Sequence, residues 1–512
     1  MLWAGCVHSA QAATNPKILH LLNRLSFGPR PGDIDHVKQI GINRYIQEQL
    51  APETLPLPAP LRDHLASLNT LQMTPLQLAQ VHLPQRQGVK LTPEEQKATR
   101  QKARQIPVEA VEGRLRQAID SPRQLQEVMV NFWYNHFNVY AQKGLTRLWF
   151  SAYEQEAIRP FALGRFRDLL EATARHPAML VYLDNWQNTA PNSSGVRGNL
   201  KGINENYARE LLELHTLGVD GGYTQQDVTT LARILTGWGL PRLPQASDIP
   251  SLFYFDPKRH DFSDKVFLGY RIRGSGEAEV EQVLDILAKS PATARHISYQ
   301  LAQYFVADQP PKPLVDRLSQ RFLSSDGNIR KVLKTLFTSP EFWDSKYYQA
   351  KFKTPYEYVV SAIRVTGVDV PNFPFIANTL QQMGMPLYMC FTPDGYKNTQ
   401  DAWLNSDAIN RRINFATLLA SGHLPLRNPP GSGLSRRLAL EGSSLGQPTT
   451  EMVYLSSPSL RRSTERTKPI EAGSLLNTLG NTLSAQTEQA IATSPPALRA
   501  ALILGSPEFM HR

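Results

Sequence analysis

The sequence has only two cysteines, Cys6 and Cys390, in 512 residues. If the segment that carries Cys6 is removed, no disulfide can form within the mature chain. Cys390 lies in the apolar stretch MPLYMCF, where we expect a buried small side chain rather than a nucleophile. No run of 18 or more apolar residues occurs, so the sequence predicts no transmembrane segment.

The common catalytic motifs are also missing. There is no His-Glu-x-x-His, no phosphate loop ending in Gly-Lys-Ser/Thr, no Gly-x-Gly-x-x-Gly after a strand and no Cys-x-x-Cys. Residues 442–446 match Gly-x-Ser-x-Gly, but without the flanking strand and helix that a nucleophile elbow needs. Any catalytic site must therefore be inferred from the spacing of polar residues.

What the chain does have is positive charge. The formal net charge is +10, which favours contact with an anionic envelope surface such as lipid or cell-wall polymer. The densest basic run, Lys97–Arg104, has no interleaved aromatic residues, so we predict no nucleic-acid binding. The 41% hydrophobic and 20% charged fractions are typical of a globular protein.

Residues 1–13 have the pattern of the end of a secretion signal. Ala10-Gln11-Ala12 fits the small-x-small cleavage pattern, which places the cut after Ala12 and predicts a periplasmic or secreted protein. Residues 3–6 loosely match a lipoprotein processing site, and lipidation of Cys6 is the alternative. A second alternative is that Met1 is the true start and the segment is a ragged tail.

Helix signals dominate the rest of the chain. Helix starts are predicted at Asn15-Pro16, Asp33, Thr92, Ser121-Pro122 and Thr224, where capping residues precede helix formers. The first of these helices is expected to end at Leu25, and the one from Ser121 at about Tyr140. Two short stretches, Leu252–Phe255 and Lys265–Leu268, are expected to form the sides of a hairpin around His260.

These signals predict a mainly α fold: a large multi-helix domain with a short β hairpin and a loop-rich C-terminal region. We divide the chain into a signal remnant (1–13), a helical domain (14–425), a partly disordered, loop-rich insertion (426–470) and C-terminal helices that return to the domain (471–512).

Several segments together resemble one bacterial family, catalogued as domain of unknown function 1800 (DUF1800). They are Leu22–Arg30, Asn131–Val139, Asn204–Trp238, Phe255–Phe262, Lys353–Glu357 and Ala402–Asn405. The resemblance implies an exported, largely helical protein and a sulfatase-like exported protein, encoded nearby, as partner. It carries no catalytic residue with it. The family tends to have a Gly-Trp pair where this chain has Asp394–Lys397.

The stretch Asn204–Leu217 is the densest polar segment on a leucine-rich helix. At about 100° per residue, Asn206, Glu210 and Glu213 share one stripe. Glu205, Arg209 and Glu213 form i,i+4 pairs, which predicts an ion-pair ladder. In a regular helix, His215 would lie roughly 160° from Glu213, so it could not join both glutamates on one metal.

A second polar stripe is Glu127, Asn131, Asn135 and Asn138, on a helix that is otherwise aromatic and that places His136 on another face. Buried amides need partners. We therefore expect this stripe to face the Asn206/Glu210/Glu213 stripe at about 10 Å, the usual distance between packed helices.

Three outcomes are open for such stripes. The first is a satisfied structural network. The second is a site for a divalent metal ion held by Glu127, Glu210 or Glu213 with His136 or His215, where oxygen ligands suit Ca²⁺, Mg²⁺ or Mn²⁺ and imidazole suits Zn²⁺ or Fe. The third is acid/base catalysis by a buried glutamate. For the catalytic case, the candidate residues are Glu210, Glu213, His215 and His136, with substrate contacts from Asn131, Asn135, Asn138, Asn206 and Arg209.

Residues 255–262, FDPKRHDF, are a further candidate. Asp256 and His260 on a loop between strands could bind a cation, or they could simply form a turn.

Two functions remain open from the sequence. One is an envelope protein that binds or assists a secreted partner. The other is an exported metal-dependent or acid/base hydrolase with its site between the two stripes.

Overall fold

The fold is mainly helical in a computed structural model that describes residues 15–82, 92–196, 202–241, 249–425, 468–480 and 483–512. This confirms the predicted fold class. The predicted signal remnant and nearly all of the predicted insertion, together with Cys6 and Ala12, lie outside these ranges. Within the described ranges, none of the helices combines the length and hydropathy needed to cross a bilayer.

The first half of the chain supplies twelve labelled helices. They are α1 (Pro16–Leu25), α2 (Asp33–Ile40), α3 (Ile42–Leu50), α4 (Ala59–Ser67), α5 (Pro75–His82), α6 (Pro93–Asp120), α7 (Gln124–His136), α8 (Thr146–Ala152), α9 (Phe166–Arg175), α10 (Pro177–Tyr182), α11 (Asn206–Glu213) and α12 (Gln225–Ile234). A π-helical turn, Tyr153–Ile158, directly follows α8.

Two small sheets come next, β1 (Trp238–Gly239) with β2 (Tyr254–Phe255) and β3 (Lys265–Phe267) with β4 (Tyr270–Ile272). The second half continues as α13 (Glu277–Lys289), α14 (Pro291–Phe305), α15 (Lys312–Ser324), α16 (Ile329–Phe337), α17 (Pro355–Thr366), α18 (Phe373–Gln382), α19 (Gln400–Trp403), α20 (Ser406–Ala420), α21 (Ala472–Leu479), α22 (Ala485–Thr493), α23 (Pro496–Leu504) and α24 (Pro507–Met510).

Three of the predicted helix starts, at Asn15, Thr92 and Thr224, are confirmed and have a capping side chain. Asn15 accepts from the backbone N–H of Lys17 at 3.0 Å, and the helix ends at Leu25 as expected. Thr92 and Thr224 both form complete capping boxes. These side chains accept hydrogen bonds from backbone N–H groups that have no intrahelical partner at a helix start. Because the effect is local, the sequence alone predicts these helix starts.

Helix ends were less predictable. The helix that begins after Thr92, α6, continues through Pro107 to Asp120 because its second half is buried along an apolar face that includes Leu115. Packing there outweighs the lost backbone hydrogen bond of the proline. The next helix begins at Gln124 rather than Ser121 and ends at His136 rather than Tyr140.

The predicted hairpin is also rearranged. Leu252–Phe255 and Lys265–Leu268 were expected to pair with each other, but β2 pairs with β1 and β3 pairs with β4, both antiparallel. The reason lies at the two-residue turn of the second hairpin, where Leu268 (φ 48°) and Gly269 (φ 81°) both have positive φ. Positive φ at both central residues gives the tight turn whose twist matches that of two strands.

α7 lies at the centre of the helical core. It contacts α1, α3, α6 and the π-helical turn, and Trp133 and Phe137 near its C-terminal end are fully buried. The polar residues of α7 are therefore surrounded by protein, and each needs a partner there.

Candidate functional site

A buried chain of alternating charges runs along α7. Nη1 of Arg159 donates to both carboxylate oxygens of Glu127, at 2.8 and 2.9 Å, and Nη2 donates to Glu154 at 3.2 Å. Arg114 donates to the other Glu154 oxygen at 3.0 Å and to Asn131 Oδ1 at 2.8 Å. We call these five residues the Glu154 network.

The Glu154 network balances two guanidinium groups against two carboxylates. Glu154 is fully buried, and the hydroxyl of Tyr388 also donates to it, at 2.9 Å. An unpaired buried charge costs several kcal/mol, so this pairing is what allows the charges to stay inside. Glu127 and Asn131 thus have the arrangement of the first outcome, a satisfied structural network.

The other half of the α7 stripe binds a loop, residues 385–397, which we call the 385–397 loop. Asn135 exchanges two hydrogen bonds with the backbone of Tyr396, at 2.8 and 2.7 Å. Asn138, which lies beyond the end of α7, donates to the carbonyls of Cys390 (3.0 Å) and Thr392 (2.8 Å). Both amides therefore fix this loop against the helical core.

Gly395 shows how closely the loop approaches α7. Its φ is 68°, and a Cβ at this position would lie 2.3 Å from the backbone oxygen of Asn135. Only glycine fits such an approach. The Tyr396 position, where the resembling family tends to have tryptophan, is held here by backbone bonds and by a hydrogen bond from its hydroxyl to Pro386 O at 2.9 Å.

The second stripe lies on α11. Arg209 pairs with Glu205 at 3.4 Å and with Glu213 at 3.5 Å, as the i,i+4 spacing predicts. Asn206 donates to the carbonyl of Leu183 at 3.1 Å. The two stripes do not exchange the direct contacts that we expected, because each bonds to other parts of the protein.

Glu210 is the exception among the acidic stripe residues. Glu210 is half-buried, and its side chain has no hydrogen bond or ion pair within the described part of the chain. Burial raises its pKa, and the neighbouring charges of Glu213 and Asp394 raise it further, against the lowering effect of Arg209. Glu210 is thus a carboxyl group that holds its proton more strongly than an ordinary glutamate.

Asp394 has the opposite character. Burial acts to raise its pKa, but hydrogen bonds from Lys397 and Thr392 hold the pKa below its ordinary value. The Lys397 ammonium lies 2.6 Å from Asp394 Oδ2. Asp394 belongs to the 385–397 loop, so this loop brings an ionised carboxylate close to α11.

Tyr182 completes this group. Its hydroxyl donates to Phe391 O at 2.8 Å. Burial raises its pKa, and Glu210 and Asp394 are among the charges that raise it further, so the phenol lies near both carboxyls. We call Glu210, Asp394 and Tyr182 the Glu210 cluster; Phe391 beside it is 74% exposed.

Three histidines form the direct link between α7 and the segment after α11. Nε2 of His136 lies 3.2 Å from the carbonyl oxygen of His215, and the ring centroid of His136 is 6.2 Å from those of both His215 and His296. Burial, with a smaller contribution from His296, lowers the pKa of His215 to about 3. These side chains are therefore neutral core residues at physiological pH.

His215 lies beyond the end of α11, so the helical projection used in the sequence analysis does not apply to it. The helix stops at Glu213, and Leu214 already leaves the regular hydrogen-bonding pattern. His215 is nevertheless buried as the leucine-rich surroundings suggested, at 1% exposure.

The candidate metal ligands do not converge. Across the described ranges, no three His, Cys, Asp or Glu side chains are grouped so that they could hold a metal ion. Asp256 accepts from the backbone of Lys258 at 3.0 Å and lies 3.4 Å from Arg259, while His260 lies 2.9 Å from Glu279. These two residues therefore stabilise the loop between the sheets.

Sequence reasoning missed Glu154, Arg114 and Arg159, because partners so far apart in the chain leave no periodic signal. It also missed Tyr182 and Asp394. The one hint was the departure from the family pattern at Asp394–Lys397, which lies in the loop that supplies Asp394 to the Glu210 cluster.

Comparison with known families agrees with the resemblance noted in the sequence. The family described as "Protein of unknown function (DUF1800)" matches residues 20–511. The chain belongs to this family. No curated protein and no solved structure matches the chain. For this DUF1800 member, function must therefore be argued from its own geometry.

Proposed function

We propose that this chain is an exported bacterial envelope protein that binds a secreted partner protein through the hairpin β3–β4, residues 265–272. The observation that carries the proposal is the exposure of apolar side chains on this hairpin. Val266 is 63% exposed and Tyr270 is 57% exposed. They lie on opposite faces of the hairpin, because Val266 pairs with Arg271 while Tyr270 pairs with Phe267.

The hairpin is held firmly at its base. The Lys265 ammonium donates to Glu279 at 2.7 Å, and Glu279 also bonds His260; all three side chains are fully buried. A two-stranded hairpin is only marginally stable alone, so this anchor is what presents it as a rigid arm. The face with Phe267 and Ile272 packs on the protein, so a partner can meet the opposite face, which carries Val266 and Arg271. Because the element is preformed, less entropy is lost on binding.

The charge on the hairpin indicates the chemistry of the partner. Arg271 and Arg273 are both exposed near the apolar side chains. Basic and apolar groups together favour a partner surface that is acidic and that offers an apolar recess. The sulfatase-like exported protein implied by the family resemblance is the first partner to test.

The test compares two valine substitutions. We expect Val266→Asp to weaken binding to the sulfatase-like protein encoded beside it by about tenfold, because a carboxylate would be desolvated in the contact. Val219→Asp, at a valine that is 68% exposed outside the hairpin, is the matched control and should change the Kd by less than about twofold. Equal effects of the two substitutions, measured by isothermal titration calorimetry, would contradict a hairpin interface.

Export is tested separately. Expression from its native start in a related bacterium, followed by cell fractionation and mass spectrometry, should give a periplasmic or secreted protein whose first residue is Ala13. An intact Met1 in the cytoplasmic fraction would contradict the export half of the proposal, and a lipid-modified Cys6 would replace soluble export with anchoring.

A second function is favoured by one specific observation, the opposed pKa shifts in the Glu210 cluster. A carboxyl with a raised pKa beside one with a lowered pKa is the arrangement that assigns a general acid and a general base. In this proposal Glu210 protonates a leaving group and Asp394 activates water, which is acid/base hydrolysis of a polymer or small ester. A metal-dependent form would use Glu210 and Glu213 as oxygen ligands.

The hydrolase proposal is tested by conservative substitutions. Glu210→Gln and Asp394→Asn should each lower kcat by at least about 100-fold on any ester or glycan that the protein cleaves. Glu205→Gln, also on the α11 side but outside the Glu210 cluster, is the control. Elemental analysis of the purified protein separates the two forms, since a stoichiometric metal that Glu210→Ala removes would indicate the metal-dependent one.

A further inference from the structure

Both ring nitrogens of His260 face oxygen atoms that can only accept hydrogen bonds. Nδ1 lies 2.7 Å from the backbone carbonyl oxygen of Thr236, and Nε2 lies 2.9 Å from a carboxylate oxygen of Glu279. A carbonyl group and an ionised carboxylate have no proton to donate. The two contacts therefore require a proton on each ring nitrogen, and only the imidazolium form of histidine carries both.

The surroundings of Glu279 keep it ionised. The ammonium of Lys265 donates to one of its oxygens at 2.7 Å, and the backbone N–H of Gly276 donates at 3.0 Å to the oxygen that faces His260. Burial acts to raise the pKa of Glu279, but hydrogen bonds from His260, Lys265 and Gly276 hold it below its ordinary value. Glu279 is therefore an acceptor for His260 and not a source of the second proton.

Either neutral form of His260 would make one of the two contacts unfavourable. With a proton on Nδ1 alone, the lone pair of Nε2 would point at the Glu279 carboxylate; with a proton on Nε2 alone, the lone pair of Nδ1 would point at the Thr236 carbonyl. The Thr236 hydroxyl is 3.3 Å from Nδ1, but it donates its proton to the carbonyl of Arg233 at 2.6 Å. A buried acceptor that faces another acceptor is costly.

The charged groups around His260 come from several elements. Glu279 belongs to α13, Lys265 to β3 and Arg233 to α12, and Arg233 pairs at 2.7 Å with Asp261, the next residue after His260. With His260 protonated, three cations meet two carboxylates, so the cluster carries one excess positive charge. A rise in pH removes this excess charge and at the same time breaks one of the two contacts of the imidazole.

The cluster is tied directly to the partner-binding hairpin. Lys265, the first residue of β3, donates to Glu279 and also to the carbonyls of Asp261 and Ser263, so its three protons are all used. The nearby Asp256 is paired with Arg259 at 3.4 Å. Displacement of the Glu279 carboxylate would therefore act on the base of the hairpin through Lys265.

We infer that His260 is an imidazolium in the folded protein and that, in this form, it locks the base of the hairpin β3–β4 to α13 and to the segment after α12. Loss of one ring proton loosens this base. The consequence for binding rests on the proposed function: the hairpin meets its partner in a fixed conformation at acidic to neutral pH, and binding weakens as pH rises.

The first experiment is NMR of the full chain labelled with ¹⁵N at histidine only. At about pH 7.5 the folded protein should show a proton on both ring nitrogens of His260, and unfolding in urea at the same pH should give the neutral pattern. The signals are assigned by their absence in His260→Gln. If that variant does not fold, contacts with the rings of Phe255 and Phe262, whose centroids lie 5.1 and 4.8 Å away, assign them. A single ring N–H in the folded protein would overturn the inference.

The second experiment is hydrogen exchange of the hairpin amides at about pH 6 and about pH 9, corrected for the intrinsic effect of pH on exchange. We expect protection in the unmodified protein to fall by at least about tenfold over this range. His260→Gln should be insensitive to pH, because glutamine has no titrating proton. His36→Gln, at an exposed imidazole, is the matched control and should keep the fall. Equal protection at the two pH values in the unmodified protein would contradict the lock.

These two readouts need no partner, so they stand or fall separately from the proposed function. If Val266→Asp does not weaken partner binding, the hairpin is not the interface, while the ring signals of His260 still decide its protonation. If the hairpin is the interface, the Kd of the partner should rise between about pH 6 and about pH 9, and His260→Gln should remove this rise. The same Kd at both pH values in the unmodified protein would overturn the predicted pH dependence of binding.

Discussion

The Glu154 network and the Glu210 cluster both place carboxyl groups near α7, but they differ in how the charge of those carboxyls is compensated. In the Glu154 network each carboxylate meets a guanidinium within 3.2 Å and lies deep in the core. In the Glu210 cluster a half-buried carboxyl faces other acids. The first arrangement stabilises one structure, whereas in the second burial and the neighbouring acids raise the pKa of Glu210. Depth in the core and charge balance, more than residue type, distinguish the two groups of carboxyls.

The strongest test of this difference removes a cation from the Glu154 network. We expect Arg114→Met to lower the free energy of unfolding by about 3–5 kcal/mol, because Glu154 would lose one of its two buried guanidinium partners. The loss would include contacts of the guanidinium with the rings of Tyr134 and Tyr388. Denaturant unfolding measures it, and a loss below about 1 kcal/mol would mean that the network does not carry stability.

The next largest effect is the pH dependence of stability that the buried histidines, His136, His215 and His296, produce. Their pKa is lower in the folded protein than the ordinary value, so the unfolded chain binds protons first as pH falls. Stability is therefore intact above about pH 6.5 and declines below it, by about 1.4 kcal/mol at about pH 5.5 for each fully neutral histidine. We expect His215→Gln to flatten this decline in melting curves, whereas His36→Gln, at an exposed imidazole, should leave it unchanged.

Removing the charge from Glu210 should have the opposite sign. Because the folded protein raises its pKa, ionisation of Glu210 opposes folding above the ordinary pKa of a glutamate. We expect Glu210→Gln to raise the free energy of unfolding at neutral pH by up to about 1 kcal/mol, with the gain fading as pH falls through the ordinary glutamate range. A destabilised variant would show that Glu210 is a structural residue like Glu127.

The smallest effect is expected on the surface of α11. Arg209→Met removes both pairs of the exposed ladder, which are worth about 0.5 kcal/mol or less together. It is the matched control for Arg114→Met, since both substitutions remove an arginine that joins at least two polar side chains. If Arg209→Met lowered the free energy of unfolding as much as Arg114→Met does, buried and exposed ion pairs would contribute equally to stability, contrary to the comparison.

Individual residues show which structural features could be predicted from the sequence. Asn15, Thr92 and Thr224 were predictable because a cap acts on its own helix, and the Glu205–Arg209–Glu213 ladder because i,i+4 geometry is local. Glu127 and Asn131 were recognised as needing partners, but Arg159 and Arg114 could not be named, since tertiary packing alone brings them there. The π-helical turn that positions Glu154 has no sequence signature of its own.

The hairpin and the 385–397 loop show the same limit. The turn Leu268-Gly269 lacks the Asn or Asp that usually occupies a position with positive φ. The pairing of β3 with β4 could therefore not be predicted from the sequence. Asp394 was noticed only as a departure from a family pattern. Its place near Glu210 depends on the two asparagines that hold the loop, a contact between residues more than 250 positions apart.

A small polar cavity, lined by residues of α1, by the start of α17 and by Arg512, has a consequence for how the chain folds. Its walls join residues 23–28, 353–357 and 512, so it closes one of the longest loops that the chain can form. Closing such a loop carries a large entropic cost and makes folding slow. The helices can form from local contacts, but this part of the core closes only when residues 23–28, 353–357 and 512 come together. We therefore expect it to be among the later parts of the fold to form.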